Sequence, residues 1–205
     1  MRTIRRGVFE TNSSSTHSLI LYTSTQEKLL SEGKLFVDFN SESLRSAKEI
    51  FDEINRRIND DIEYYKNKLN NDDDLAKDAD RKAHYKEYLE GLETQKELFK
   101  DATPELLERV ISKTVGQIEE AREEIEYDCD NDGYSEEIFK KLVELCDITD
   151  CEHPILDVLC RQNWRLMTSI DDWLSASGDE YETFQYSITL DNGEVVSVAG
   201  YYGYN

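Results

Sequence analysis

Cysteine, long apolar runs and positive charge are all scarce in this chain, and each shortage removes a class of protein. Four cysteines, Cys129, Cys146, Cys151 and Cys160, crowd into one third of the sequence. That is too few for the disulfide framework of a small secreted domain, so reduced thiols in a cytoplasm are expected. The longest apolar run, residues 19–22 (LILY), falls far short of the roughly 20 residues a membrane span needs. The opening residues are rich in Arg and Ser, yet their β-branched residues and Gly7 make a poor targeting helix, so they are read as part of the fold. Lys and Arg number 24 against 45 Asp and Glu, a net charge of −21. Such a field repels nucleic acid and anionic lipid and attracts basic surfaces.

What remains is periodic enough to fold. Mean hydropathy is −0.70, but the chain holds 7 Phe, 12 Tyr and 2 Trp, and its apolar residues recur at the spacings of helices and strands. Residues 17–23 (HSLILYT) and 34–39 (KLFVDF) predict strands, with a short helix over 25–32 stopped by Gly33. From Ser43 the period becomes helical: Leu44, Ala47, Phe51, Ile54, Ile58, Ile62, Tyr65 and Leu69 share one stripe. The run 70–74 (NNDDD) breaks it. A second helix over 75–100 has a weaker stripe, and Thr103-Pro104 caps a third that is expected to reach about Ile125. Helices are also expected over 135–146, 151–161 and 170–176.

At the C-terminal end Phe184, Tyr186, Ile188 and Leu190 alternate with Thr183, Gln185, Ser187 and Thr189, and Asn192-Gly193 follows. A two-residue type I′ loop there pairs Leu190 with Val195, Ile188 with Ser197 and Tyr186 with Ala199, giving one largely apolar face. The expected fold is α+β. Residues 1–42 and 147–205 build one mostly antiparallel sheet from the chain ends, and residues 43–146 form an inserted antiparallel helical bundle or coiled-coil arm, a limb of negative charge.

Four groups of residues are candidates for function. Arg5, Arg6, Glu10, Asn12, Ser13, Ser14, Ser15, Thr16 and His17 form a hydroxyl-rich, locally basic stretch. Arginines and hydroxyls can hold a phosphate, and His17 or Glu10 could move a proton with a serine as nucleophile. The plainer reading is a Ser-rich lead into a strand, since no nucleophile-and-base spacing is matched. Residues 7–18 (GVFETNSSSTHS) resemble an N-terminal segment of many uncharacterised proteins of bacteriophages and prophage-bearing bacteria. The resemblance covers under a tenth of the chain; it implies a mobile-element origin and carries no fold or catalytic assignment.

Cys146, Cys151, His153 and Cys160 have ligand chemistry for zinc but lack a C-x-x-C pair, so buried thiols are expected and no metal or cofactor. Glu119, Glu120, Glu123, Glu124, Glu126, Asp128, Asp130 and Asp132 form an acidic tract, echoed at Asp171, Asp172, Asp179 and Glu180. The tract begins like a calcium loop at residues 128–133, but Phe139 stands where a bidentate Glu is required. Carboxylates in such a row can imitate duplex phosphates and occupy a basic channel, or simply form a solvated face. Tyr201, Tyr202 and Tyr204 either close the sheet or form a partner-binding edge. Together these predict a non-enzymatic binder of a basic, nucleic-acid-binding host protein, of the anti-CRISPR or anti-defence kind. The competing expectation is an enzyme or binding domain for a nucleotide or other phosphorylated small molecule at residues 5–18.

Overall fold

Caps and turns punctuate the chain where local chemistry places them. In the computed structural model, residues 15–39, 41–72, 78–115, 117, 121, 136–162, 164, 166–176 and 182–204 are described. Strand β1 (Ser15–Thr23) runs straight into α1 (Ser24–Ser31), because Thr23 and Gln26 close a reciprocal capping box. Gly33, at φ +67°, then carries the chain into β2 (Phe36–Asp38). Strand β3 (Ser43–Arg45) follows, and a second capping box between Ser46 and Glu49 opens α2 (Ala47–Asn71). Asp78 caps α3 (Ala79–Phe99), and Thr103 with Pro104 starts α4 (Pro104–Thr114). The remainder is α5 (Glu136–Leu145), α6 (His153–Arg161), β4 (Leu166–Met167), α7 (Ile170–Ser175), β5 (Glu182–Thr189) and β6 (Val195–Tyr204).

The described residues form seven helices and two antiparallel sheets, an α+β fold whose end strands pair while the helices lie between them in sequence. The terminal sheet has the order β1-β6-β5 and the second sheet β3-β2-β4. The expectation of one sheet is thereby corrected to two. Residues 43–45, expected to begin α2, pair instead with β2, because the Ser46–Glu49 box fixes the helix start four residues later, at Ala47. The third long helix is also shorter than expected: it ends at Thr114, where Val115 turns to ψ 130°.

Two apolar clusters hold these layers. Ile50, Ile54, Ile58 and Ile62 form a four-residue ridge along α2 and bury against Leu92 and Phe99 of α3, Val110 and Ile111 of α4, Leu142 of α5 and Leu156 of α6. Each such side chain contributes about 1.5–3 kcal/mol on burial. Phe51 stacks on Phe99 with ring centroids 5.2 Å apart. Helix α3 buries only Leu92 and Phe99, which is why its stripe is faint in the sequence. The second cluster lies under the terminal sheet, where Ile20, Tyr22, Ala199 and Tyr201 meet Leu30, Val37, Met167, Ile170 and Trp173.

The β5–β6 hairpin departs from expectation by one residue. Gly193 N donates to Leu190 O at 2.8 Å, Leu190 N donates to Glu194 O at 2.8 Å, and Gly193 alone in the loop is left-handed, at φ +82°. This is a three-residue loop, a type I turn closed by a glycine bulge, and not the two-residue loop that Asn-Gly also permits. Ile188 therefore faces Val196 and Tyr186 faces Val198.

Candidate binding interface

A one-residue shift of register moves every side chain of a strand to the opposite face of its sheet, and here it turns β5 inside out. The residues of β5 that look toward the core layer are polar: Gln185 donates to the Tyr22 hydroxyl, and the Ser187 and Ser197 hydroxyls meet at 2.8 Å. Its apolar residues look outward, with Tyr186 66% and Ile188 58% exposed and Leu190 just past the strand at 40%. From β1, Leu19 at 55% and Leu21 at 65% share this outer face, with Phe184, Val196 and Val198 half-buried among them. The hairpin has an apolar face, but it joins Tyr186 and Ile188 to Val198 and Val196 instead of Ala199 and Ser197, and it faces solvent.

That face is also nearly empty of charge. The three strands span nine, eight and ten residues and contain one formally charged residue, Glu182, whose carboxylate accepts from the Tyr202 hydroxyl. A third of the whole chain is charged, so the strands stand apart from their surroundings. Gly200 keeps the surface level. A Cβ there would lie 2.5 Å from Ser18 O and 2.7 Å from Phe184 Cζ, because the Phe184 ring occupies the space over that backbone.

The inner face is fastened to the second sheet by Glu42, in the turn before β3. Its carboxylate accepts from the Ser18 hydroxyl and, at 2.9 Å, from the Tyr201 hydroxyl. Glu42 adopts φ +51° to reach them, a backbone conformation that costs about 1–2 kcal/mol for a residue with a Cβ.

The expected sites fall unevenly on this frame. Ser15, Thr16 and His17 open β1, in register with Tyr204, Gly203 and Tyr202; Arg5, Arg6, Glu10, Asn12, Ser13 and Ser14 lie outside the described residues. Outside them too lie Glu119, Glu120, Glu123, Glu124, Glu126, Asp128, Asp130 and Asp132. Asp171 and Asp172 are exposed in the first turn of α7. The thiols and imidazole considered for zinc do not converge: Cys146 is buried, Cys160 half-buried, Cys151 exposed, and the His153 ring packs edge-on to Phe139 at 4.6 Å. Among the described residues no group of three or more His, Cys, Asp or Glu is placed to hold a metal ion. Tyr201 closes the core against Trp173, at 5.2 Å between ring centroids.

The charge of the expected limb, residues 43–146, is unevenly spread along it. Helices α2 and α3 carry eleven acids against nine bases, and many of the carboxylates are paired, as in Lys66–Glu93 at 2.7 Å. Hydrogen bonds from Arg56 and Arg57 hold the Glu53 carboxyl down at about 2. The acidic excess lies later: residues 119–152 hold fourteen acids and three bases, and residues 171–205 hold seven acids and no Lys or Arg.

Two features carry no signal in the sequence. Glu152, 1% exposed at the head of α6, accepts from Lys113 Nζ at 2.7 Å and from the backbone and hydroxyl of Thr149. Burial pushes its carboxyl up, but Lys113 and Thr149 outweigh that and hold it at about 2. A cleft of about 370 Å³ opens between the α3–α4 turn and α6, lined by Lys100, Asp101, Cys151 and Pro154 among others. Among the described residues no helix is long and apolar enough to cross a membrane. Set against family models, curated proteins and solved structures, the chain matches none of them.

Proposed function

We propose that this chain is a non-enzymatic binding protein of phage or prophage origin that blocks a host nucleic-acid-handling enzyme, of the anti-CRISPR or anti-defence kind, by occupying its basic surface. The observation that carries this reading is the segregation of charge. The long helices are close to neutral, while residues 119–152 concentrate fourteen acids against three bases. A dense row of carboxylates competes for the lysines and arginines that an enzyme aims at phosphates. Attraction of this kind steers encounter as well as affinity, and salt weakens it. The resemblance of residues 7–18 to phage segments adds the origin.

The test is capture from host lysate followed by inhibition assays. The protein is expected to retain a basic nucleic-acid-binding protein at moderate salt, to lose it at high salt, and to compete with duplex DNA for it. Changing Glu119, Glu120, Glu123 and Glu124 together to Gln should weaken capture by at least tenfold, about 1.4 kcal/mol. Recovery of no basic, nucleic-acid-binding protein at moderate salt would remove the reading.

A further inference from the structure

We propose that the outer face of the β1-β6-β5 sheet seats a second copy of this chain, the two sheets packing face to face about a two-fold axis. The face is built for contact with an apolar surface. Leu19, Leu21, Tyr186 and Ile188 are each more than half exposed, whereas the opposite side of β5 is given to Gln185 and Ser187. Gln185 and Ser187 are exposed as well, and of β5 only Phe184 is half-buried, so the core layer leaves this strand uncovered and its apolar side stands in solvent without a partner.

The charge pattern selects the occupant. A basic partner, which the rest of the chain attracts, would desolvate its cations against this face and find one carboxylate, Glu182, at the strand end. A strongly acidic partner is repelled by −21. What fits is an uncharged, apolar surface with the twist of a β-sheet, and a second copy supplies that by symmetry. Over this sheet two copies meet with charge confined to the ends of the strands, at Glu182 and at Glu194 just before β6.

The dimensions suit a weak dimer. Three strands about 4.8 Å apart and about eight residues long at about 3.4 Å each give a footprint of roughly 14 by 27 Å. Two such footprints total roughly 760 Å², below the roughly 1,000 Å² at which stable specific interfaces begin, which places the dimer among weak, transient associations. Association is opposed by like charge at long range and favoured by apolar contact at short range. Salt screens the first and spares the second, so self-association tightens as ionic strength rises. Binding of a basic partner changes in the opposite direction, which makes the two readings separable.

Sedimentation velocity on the full chain, up to about 100 µM and at about 50 mM and about 500 mM NaCl, tests this. The mass is expected to rise from 23.9 kDa to twice that with concentration, at lower concentration in high salt. Leu21→Lys and Ile188→Lys each reduce the net negative charge, so electrostatics alone would favour their association; the proposal expects each to raise the dissociation constant at least tenfold. Tyr88→Lys, at a 48% exposed site on α3, is expected to behave as the parent protein, and far-UV circular dichroism checks that all variants fold. A parent protein that stays monomeric under every condition would leave the face to a foreign apolar partner and overturn the proposal. Dimerisation that weakens with salt, or that survives both face variants, would also overturn it. A parent protein that does not dimerise yet captures a basic partner removes this inference alone.

Discussion

Glu152 at the head of α6 and Lys113 on α4 form a 2.7 Å ion pair whose carboxylate is 1% exposed and whose ammonium also donates to Asp147 O. One contact thus joins α4 to both ends of the connection between α5 and α6. With its carboxyl held at about 2, Glu152 contributes stability that is fully present above its unfolded value near 4.5 and lost as pH falls from there through about 2. The linkage amounts to about 3 kcal/mol. Urea unfolding at pH 7, 5 and 3 should show Glu152→Gln with lower stability at pH 7 and a flatter acid limb. Lys113→Ala should cost more, since it strands a buried carboxylate, whereas Gln still bonds Thr149 and Lys113.

Exchange of inner and outer residues on β1 tests the placement of its faces. Ile20, 3% exposed, should cost about 2–4 kcal/mol on replacement by Ala, and Leu21, its neighbour at 65% exposure, within about 0.5 kcal/mol in dilute solution. Equal losses in chemical denaturation would mean that both faces are covered in the monomer.

Glu42 combines a left-handed backbone with two hydroxyl contacts, and three variants separate the parts. Glu42→Ala should lose about 2 kcal/mol, keeping the strain and deleting the acceptor. Glu42→Gly should lose less, because glycine adopts φ +51° without penalty. Glu42→Gln should lose least. Thermal unfolding that ranks Gly below Ala would contradict this turn.

Two glycines of the terminal sheet are required for different reasons. Gly193→Ala forces a side chain into φ +82° with open space around it and should cost about 1 kcal/mol. Gly200→Ala meets backbone at 2.5 Å and the Phe184 ring at 2.7 Å, so backbone and ring must both yield, at about 1–3 kcal/mol. Denaturation midpoints should fall in that order, with Asn tolerated at 193 better than Ala.

Much of the helical part was legible because its determinants are local. The Ile54, Ile58 and Ile62 ridge, the Thr103-Pro104 start and the Gly33 stop are each written in a few adjacent residues. Alternation in 183–190 likewise marked a strand and grouped its apolar residues on one side. It could not say which side is the core, because that depends on whether the loop spends two residues or three, and Asp191-Asn192-Gly193 accommodates both. Strand β3 has three residues and no periodicity of its own; it exists through pairing with Phe36, Val37 and Asp38. The Lys113–Glu152 pair joins residues far apart in sequence, beyond any pattern of spacing. The near-neutrality of α2 and α3 was countable, but the total charge hid it. Of the candidate sites, the outer sheet face was visible as a set of apolar residues on one side of a strand, without the side being fixed.

Strand β6 stands between β1 and β5 and supplies the partner of both. On the ribosome, β1 therefore emerges early and remains without its sheet until residues 195–204 have been made, carrying Leu19, Ile20, Leu21 and Tyr22 unsheltered while the helices, whose contacts are shorter in range, can already assemble. Synthesis imposes an order in which the helical layer forms first and the sheet zips last. A nascent chain stalled before Val195 would be a helical body trailing a sticky, apolar thread, the kind of species that a holding chaperone recognises.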